Sequence, residues 1–361
     1  MAIRTVGVEE EFLLVDAGSG LPRAVAHLAL AREPDSEQLT GELQREQIET
    51  ATRPCASLDE LGRELRRSRA TAARAADAAG SSLAALGTSP LAVEPTLTPS
   101  DRYQRMGRRF GLTVAEELTC GCHVHVAVGS DDEGVGALDR IRPWLAPLLA
   151  LTANSPFWNG DDSGYASYRS QVWTRWPSAG PYAPFGSAEA YHEIVGAMVD
   201  SDTVLDRGMV YFDARLSAQH PTLEIRVADV CLDAGDAVLL AALARGLVET
   251  AVREWQADVP ADPVRLELLR LAAWRAARSG VDGVLLDPGT WRPAPAADVL
   301  GRLVKHVTPA LDEAGDLPLV REMLADVLGR GSGARAQREA AKQAAGDPRA
   351  AVALAVRRTH S

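Results

Sequence analysis

Cysteine, long apolar runs and net positive charge are all scarce in this sequence. Its four cysteines, Cys55, Cys120, Cys122 and Cys231, are too few for a disulfide scaffold and predict a reducing compartment. The longest apolar runs, such as AVLLAALA from Ala237, are far too short to cross a bilayer. The formal net charge of −11 argues against nucleic acid as the main partner, because binding to phosphate needs a basic surface. With no signal-peptide pattern at the N-terminus, these features predict a cytoplasmic protein without a membrane or nucleic-acid partner.

The motifs that most often cradle phosphate or present a nucleophile are also missing. The sequence contains no GxxxxGK[ST] loop, no GxGxxG that opens a helix and no GxSxG elbow. A nucleotide is not excluded by this, since bound divalent cations can supply the positive charge that an anionic substrate needs. Any nucleotide must therefore be held by other groups.

Hydrophobic periodicity predicts a single α+β domain over residues 1–361, with no internal repeat and no linker. Ser57 followed by Glu60 is a capping-box pattern, so a long helix is expected to start there and to end at Gly80. The tail after Gly329, from about residue 330, is basic and is expected to be partly mobile. The other predicted elements are strands over 3–15 and within SSLAALGTSPL, CGCHVHVAVG and PTLEIRVADV, and helices over 137–153, DAVLLAALARGLVETAVREW and most of the chain from about Pro263.

Three consecutive carboxylates lie inside the first predicted strand, in VEEEF. Because side chains alternate across a strand, Glu9 and Glu11 share one face and Glu10 points to the other. Two carboxylates about 7 Å apart on one face repel each other unless cations lie between or beside them. Mg²⁺ suits such a place, because it takes carboxylate oxygens and keeps water that a phosphate can displace. A solvated edge strand with a charged face explains this stretch alone equally well.

A second acidic stretch, GELQREQIETATRPC, contains Glu42, Glu46 and Glu49. Taken by itself it is an ordinary charged segment. It bears on function only if it lies beside the first strand.

The run CGCHVHV contains residue types that bind zinc. On a strand, however, Cys120 and Cys122 face one way while His123 and His125 face the other, so all four could converge only around a bulge at Gly121. Two histidines on one face without a cysteine fit a mixed histidine and carboxylate site better. Two strand histidines with purely structural roles explain the run equally well.

The segment TLEIRVAD places Glu224 and Arg226 on one strand face. They can form a structural ion pair, or a metal ligand beside a guanidinium that grips a phosphoryl group. The polar, aromatic loop over 154–176 adds Tyr165 and Arg169, which either recognise a substrate carboxylate or pack.

Five motifs, in this order, resemble the bacterial carboxylate–amine ligases of the glutamate–cysteine ligase type 2 family: VGVEEEFLLVD, IETAT, CGCHVHVAVG, YRSQVWTRWP and TLEIRVAD. The similarity extends over nearly the whole chain. The family is similar to the catalytic domain of glutamine synthetase, which implies a curved antiparallel β-sheet basin with helices packed outside and the active site inside. It also implies a homodimer.

The resemblance implies an activity as well. ATP activates the γ-carboxylate of glutamate as an acyl phosphate, and the amino group of cysteine then displaces phosphate to form an amide. Two or more Mg²⁺ ions are implied, with Mn²⁺ as an alternative. The implied partners are ATP, an amino-acid carboxylate and an amine.

The resemblance further assigns roles to particular residues. One Mg²⁺ is assigned to Glu11, Glu42 and Glu49, and the other to Glu9, His123 and Glu224. Arg226 matches the arginine that lies against the transferred phosphoryl group, His125 would reach a phosphate or a neighbouring group, and Arg169 and Tyr165 would contact substrate. Arg335 and Arg338 resemble a family tail motif without an assigned role.

Two other functions fit parts of the sequence. A zinc-dependent hydrolase could use His123, His125 and a glutamate. A catalytically inactive homologue could act as a binding protein, but the presence of every assigned metal ligand argues against it.

Overall fold

A seven-stranded antiparallel sheet is the central element of the computed structural model, which describes residues 3–33 and 38–360. The strands, in chain order, are β1 (Val6–Val15), β2 (Leu39–Gly41), β3 (Gln47–Ala51), β4 (Ser82–Ala84), β5 (Gly121–Ala127), β6 (Phe157–Trp158), β7 (Asp161–Asp162), β8 (Ala214–Leu216), β9 (Thr222–Asp229), β10 (Val284–Leu286) and β11 (Pro293–Pro295). In the main sheet the order is β2–β3–β1–β5–β9–β8, and β4 pairs with the end of β1. The β6–β7 and β10–β11 pairs form two small separate sheets.

Helices pack outside this sheet and make up most of the second half of the chain. They are α1 (Ala26–Leu30), α2 (Leu58–Ala78), α3 (Asp101–Phe110), α4 (Leu112–Ala115), α5 (Asp131–Ile141), α6 (Leu145–Leu151), α7 (Arg169–Trp173), α8 (Ala188–Asp200), α9 (Ala234–Gln256), α10 (Leu266–Ser279), α11 (Ala296–Glu313), α12 (Leu317–Arg330), α13 (Gly333–Gln343) and α14 (Arg349–Thr359). Single 3₁₀ turns occur at Arg142–Trp144, Arg207–Met209 and Gly280–Asp282. The predicted α+β class, with an antiparallel sheet and helices outside it, is confirmed. Within the described ranges, no helix combines the length and the apolar character that a membrane span requires.

The two faces of β1 meet different surroundings. Val8, Glu10 and Phe12 are buried on the face that α2 and α9 cover. Glu9 and Glu11 lie on the opposite face and are only partly buried. The alternation read from VEEEF is therefore confirmed, and Glu10 is the one carboxylate of the three that enters the core.

The buried Glu10 is paired with an arginine of α2. Both its oxygens accept hydrogen bonds from Arg69, at 2.9 Å and 2.6 Å. The guanidinium also donates to the backbone carbonyls of Cys231 and Leu232, so its charge and its donors are satisfied inside the core. Removing one partner of such a pair would leave an unpaired buried charge, which typically costs about 3–5 kcal/mol.

Helix α9 forms the middle of the helical layer. Residues 236–248 are buried throughout, because α9 contacts β1 and β5 of the sheet and the helices α2, α5, α11 and α12. A helix that is apolar nearly all round is expected in this position.

One long predicted helix is interrupted. Residues 137–153 were expected to be continuous, but α5 ends at Ile141 and α6 begins at Leu145. Pro143 lies in the 3₁₀ turn between them, and proline cannot supply the backbone N–H that a continuous helix needs. The start of α2 is as predicted, since the Ser57 hydroxyl accepts from the N–H of Glu60 at 3.2 Å.

The basic tail is helical. Residues after Gly329 form the end of α12, then α13 and α14. Val352 and Ala355 are buried in the cluster that contains Phe12, and Ala351 is buried in a small cluster with Phe157 and Ala341. The amphipathic pattern of these helices was hard to read from the sequence, because alanine is often buried in proteins but is only weakly hydrophobic.

Candidate active site

The sheet face opposite α2 and α9 forms a cavity of about 480 Å³, which we call the acidic basin. Strands β1, β3, β5 and β9 supply its floor, and aromatic side chains from α3 and from the segment after α7 form part of its wall. Every residue predicted as a metal ligand or as a phosphoryl contact lines this one cavity: Glu9, Glu11, Glu42, Glu49, His123, His125, Glu224 and Arg226.

Strand register explains this convergence. Glu11 is opposite Glu49 across the β1–β3 pair, and Glu9 is opposite His123 across the β1–β5 pair. On the far side of β5, His125 is opposite Glu224 of β9. Residues directly opposite each other on neighbouring strands have Cβ atoms about 4.5–5.5 Å apart, so these side chains are forced together.

Glu9 lies between the two histidines. One carboxylate oxygen is 3.4 Å from Nδ1 of His123, and the other is 3.3 Å from Nε2 of His125. Burial acts to raise the pKa of Glu9, but the interactions with the two imidazoles outweigh it, and the pKa lies below its ordinary value. Glu9 is therefore a carboxylate at neutral pH.

The carboxyl groups of Glu11, Glu42 and Glu49 repel one another. Burial, followed by the charge of Glu42, raises the pKa of Glu11 to about 7. The same two causes, joined by the charge of Glu9, raise the pKa of Glu49 well above its ordinary value. Accumulated like charge of this kind is costly in the protein alone and is relieved by a bound cation.

His123 is buried and has a free ring nitrogen. Burial and the nearby charge of Arg226 lower the pKa of His123 to about 4, so the imidazole is neutral at pH 7. Its Nε2 makes no hydrogen bond among the described residues and lies 3.9 Å from a carboxylate oxygen of Glu11, whereas Nε2 of His125 faces the Glu9 oxygen 3.3 Å away. Nδ1 of His125 is 2.9 Å from the hydroxyl of Thr222, which orients that ring.

Two groups of side chains bring metal-binding atoms within 4.8 Å of one another: Glu9, Glu49 and His123 form one group, and Glu9, His125 and Glu224 form the other. The resemblance divided the same residues differently, joining Glu9 and Glu224 to His123, and Glu49 to Glu11 and Glu42. Glu9 belongs to both groups seen in the structure. The assignment of ligands to individual ions stays a prediction, whereas the closeness of the residues is an observation.

Glu224 is held by two arginines. Arg215 donates to both its oxygens, at 2.7 Å and 3.2 Å, and Arg226 makes a short contact with one of them. Burial acts to raise the pKa of Glu224, but these two charges outweigh it, and the pKa lies below its ordinary value. The Glu224–Arg226 ion pair, which the sequence analysis gave as one of two interpretations, is thus present. Nε of Arg226 has no partner among the described residues, so part of its guanidinium remains available.

The two predicted substrate contacts lie in different places. Arg169, at the start of α7, is buried beside the basin, with its guanidinium 5.4 Å from the ring of Trp173. Tyr165 does not line the basin; its hydroxyl is 3.2 Å from Nε1 of Trp274, and Arg278 lies over its ring. Its predicted role in substrate contact therefore has no support from position.

Several basin residues were not predicted. Arg215 lies in the three-residue strand β8, which is too short to give a periodic signal, although DARL before TLEIR has the spacing of a strand pair. Among the other lining residues that sequence reasoning missed are Arg102, Tyr103, Glu117, Trp176 and Tyr211. They come from α3 and from loops, and nothing in the local sequence predicts that these side chains point into the basin.

The four cysteines do not form a metal cluster. All are buried free thiols, and no cysteine takes part in either group of metal-binding side chains found among residues 3–33 and 38–360. Cys122 is opposite Glu10, on the core side of the sheet, and Sγ of Cys120 is 3.5 Å from Nε2 of Gln47. The irregularity in β5 lies between Cys122 and Val124, not at Gly121, and does not turn the thiols towards the histidines.

This arrangement predicts that the cysteines are dispensable for metal binding. We expect Cys120→Ser combined with Cys122→Ser to keep its Mg²⁺-dependent rise in melting temperature, with a lower melting temperature overall because two buried thiols become hydroxyls. Differential scanning fluorimetry with and without Mg²⁺ measures both effects. Loss of the Mg²⁺ effect, or tightly bound zinc in the wild-type protein that the double variant loses, would favour a cysteine-containing site.

The chain is similar to known proteins over nearly its full length. Residues 5–353 match the family model described as glutamate-cysteine ligase family 2. A Streptomyces avermitilis protein named "Putative glutamate--cysteine ligase 2-1" is 55% identical over 341 residues, covering 93% of this chain and 94% of that protein. A Streptomyces coelicolor protein named "Putative glutamate--cysteine ligase 2" is 54% identical over 363 residues, covering 99% and 100%.

Two solved structures have a similar fold. A bifunctional glutathione synthetase from Pasteurella multocida has a TM-score of 0.71 at 16% identity, covering 99% of this chain, which spans only 52% of that protein. A glutamate–cysteine ligase from Francisella tularensis in complex with AMP has a TM-score of 0.70 at 13% identity, covering 100% and 90%. At 16% and 13% identity these two structures support the fold alone. The family model and the relatives at 54–55% identity show which family the chain belongs to. The chain belongs to glutamate-cysteine ligase family 2.

Proposed function

We propose that this chain is an ATP-dependent carboxylate–amine ligase that forms an amide through an acyl phosphate. The proposed reaction joins the γ-carboxylate of L-glutamate to the amino group of L-cysteine, with ATP converted to ADP and phosphate. The chemistry answers a specific difficulty, because a carboxylate does not react with an amine until its oxygen is made a good leaving group.

The observation that carries this proposal is the meeting of carboxylates, neutral imidazole and buried arginine on one sheet face. Glu9 and Glu224 remain ionised there, while Glu11 and Glu49 have raised pKa values. Arg226 lies beside these carboxylates, in contact with Glu224, and its Cζ is 5.8 Å from the centre of the Trp173 ring. Such an arrangement suits a polyphosphate whose charge is neutralised by cations on one side and by guanidinium on the other.

The donor set fits Mg²⁺. Carboxylate oxygens predominate, burial and mutual repulsion raise the pKa values of Glu11 and Glu49, and Nε2 of His123 makes no hydrogen bond among the described residues. We propose that Glu9, Glu11, Glu42, Glu49, His123 and Glu224 hold Mg²⁺, or Mn²⁺ in its place. When bound, the cations supply charge neutralisation for the phosphates of ATP.

The remaining roles belong to the basin's cationic and imidazole groups. Arg226 would donate from its free edge to the phosphoryl group in transfer, where negative charge is spread over the equatorial oxygens. His125 is fixed by Thr222 on one nitrogen, so its other nitrogen would reach a phosphate oxygen or a neighbouring carboxylate. Substrate contact by Arg169 and Tyr165 remains part of the proposal, with position favouring Arg169.

We propose that residues 1–361 act as one catalytic domain, that the protein works in the cytoplasm and that it forms a homodimer.

A screen of ADP release tests the proposed function. Amino acids and amines are paired with ATP and Mg²⁺, and each rate is scored for its dependence on both members of the pair. Release that needs L-glutamate and L-cysteine together supports the specific reaction. Release that needs another pair keeps the carboxylate–amine ligase and changes its substrates, while no coupled release with any pair would contradict the ligase.

The nucleotide products report on the type of activation. An acyl phosphate predicts ADP and inorganic phosphate in equal amounts with the amide. Ion-exchange chromatography of a completed reaction distinguishes these from AMP and pyrophosphate, and the latter pair would rule out the proposed intermediate.

A further inference from the structure

A second cavity, of about 400 Å³, lies next to the acidic basin and shares Trp173 and Arg226 with it. Its walls combine apolar side chains, such as Leu145, Leu149 and Trp274, with polar ones, and Arg270 also lines it. Arg169 and Asp213 also line it, but neither lines the acidic basin. A pocket with apolar walls and a few charged groups is typical of a small-molecule site.

Arg169 is unusually poorly paired for a buried arginine. Arg169 is only 2% exposed, its buried Nε has no hydrogen-bond partner, and no side-chain hydrogen bond or ion pair of its guanidinium is seen among the described residues. The contact with Trp173 is through the ring face, which leaves the donors unused. Buried guanidinium donors without acceptors are costly, so an acceptor on a ligand is expected.

Of the carboxyl groups near Arg169, only that of Asp213 also lacks a hydrogen-bond partner among the described residues. The positive charge of Arg169 acts to lower the pKa values of four carboxyl groups, those of Glu11, Glu117, Asp229 and Asp213. The first three accept hydrogen bonds from backbone or hydroxyl donors. The carboxyl group of Asp213 has no hydrogen-bond or ion-pair partner among the described residues. Burial raises its pKa to about 7.

The backbone of Asp213 is fixed even though its side chain is free. Its N–H donates to the carbonyl of Gly180 at 3.0 Å, and its carbonyl accepts from the N–H of Arg226 at 2.9 Å. The carboxylate is therefore held at the wall of the cavity, close to Arg226, by contacts that do not use it.

A guanidinium and a carboxylate thus face one cavity, near each other but not bonded, each without a partner. A zwitterion satisfies both at once. We propose that this cavity binds the α-amino-acid head group of a substrate, with Arg169 holding the α-carboxylate and Asp213 holding the α-ammonium. The inference rests on the proposed function for the identity of the two amino acids, and for the further consequence that Arg226, shared by both cavities, brings this substrate beside the phosphoryl group.

Two substrates carry such a head group: the amino acid that supplies the carboxylate and the one that supplies the amine. Analogues that lack one charge distinguish them. For L-glutamate these are glutarate, without the ammonium, and 4-aminobutyrate, without the α-carboxylate. For L-cysteine they are 3-mercaptopropionate and cysteamine, respectively.

Isothermal titration calorimetry of the full chain, with Mg²⁺ and a non-hydrolysable ATP analogue, tests the proposal. We expect the wild-type protein to bind one of the two amino acids at least about 10-fold more tightly than either of its analogues, the scale of one charge-assisted hydrogen bond. Asp213→Asn should abolish the preference over the analogue without ammonium and keep the preference over the analogue without carboxylate. Arg169→Lys should do the reverse, at least in part, because lysine keeps the charge but loses the planar fork.

This crossed pattern is not expected from a purely structural role. Asp77→Asn, at an exposed position on α2, is the matched control and should leave every preference unchanged. Wild-type protein that binds neither amino acid, or Asp213→Asn protein that is folded by circular dichroism and keeps all preferences, would overturn the inference. Because binding is measured without turnover, a failed ligase assay leaves this test intact, and an active ligase with unchanged preferences removes the inference alone.

Discussion

Glu9→Gln is expected to lower turnover by roughly 100-fold or more while leaving the protein folded. Glu9 belongs to both groups of metal-binding side chains and contacts both histidines. Losing a group that only supports a ligand commonly costs 10–100-fold in metal affinity or activity, so losing a shared ligand should cost at least as much.

The same variant should change the response of stability to Mg²⁺. Ligand binding to the native state stabilises it by about 2.7 kcal/mol when the free concentration is 100 times the Kd. We therefore expect Mg²⁺ to raise the melting temperature of the wild-type protein and to have little effect on Glu9→Gln. Without Mg²⁺ the variant should be somewhat less stable than the wild type at neutral pH, because the lowered pKa of Glu9 means that its charge, held between two histidines, stabilises the folded state.

Glu10→Gln is the matched control, one residue away on the opposite face of β1. It removes the charge that pairs with Arg69, so its melting temperature should fall at every Mg²⁺ concentration. Its rise in melting temperature on adding Mg²⁺ should survive. If Glu9→Gln keeps both turnover and the Mg²⁺ response, Glu9 is not a ligand and the proposed site must be redrawn.

The contrast between Glu9 and Glu10 shows how far sequence alone could go. The period of two along a strand was enough to place Glu10 on the other face from Glu9 and Glu11, as the structure confirms. The partner of Glu10 was not predictable, because Arg69 is 59 residues away and its approach depends on how α2 packs on the sheet.

The convergence of the basin was predictable only through resemblance. Periodicity put Glu224 and Arg226 on one face and the two histidines on one face, but gave no order of strands. Glu9 is opposite His123 in the regular β1–β5 pairing, and His125 is opposite Glu224 in the β5–β9 pairing, whose register shifts between Cys122 and Val124. No local signal in CGCHVHV fixes that position, which is why individual ligand sets remain predictions.

Residues held by loops or very short strands were the least predictable. Arg215 and Asp213 lie at β8, whose three residues are too few for periodicity to be read. Both are nevertheless fixed by pairing with β9, since Arg215 is opposite Glu224 and the carbonyl of Asp213 accepts from Arg226. Their positions follow from tertiary pairing and not from local preference.

Arg226→Lys should lower kcat by roughly 100-fold or more while Mg-ATP binding stays within a few-fold of wild type. A guanidinium at this position meets the phosphoryl group most strongly during transfer, so its loss falls on turnover more than on binding. Lysine keeps the charge but cannot offer two parallel donors. Removing one preorganised donor to developing negative charge typically costs about 10²–10³ in kcat.

The observed contact between Arg226 and Glu224 offers a different explanation, in which the arginine only neutralises the buried carboxylate. Arg215 separates the two explanations, because it also pairs with Glu224, at 2.7 Å. If pairing is the whole role, Arg226→Lys and Arg215→Lys should behave alike, with a modest fall in melting temperature and near-normal turnover.

If Arg226 also holds the phosphoryl group, the two variants should differ. Glu224 keeps Arg215 in Arg226→Lys, so stability should change little while kcat falls. Arg215→Lys should retain much more of its turnover, because Arg226 still offers its unpartnered Nε. Measuring kcat, nucleotide affinity and melting temperature on both variants decides the matter, and a folded Arg226→Lys enzyme with wild-type kcat would remove Arg226 from the mechanism.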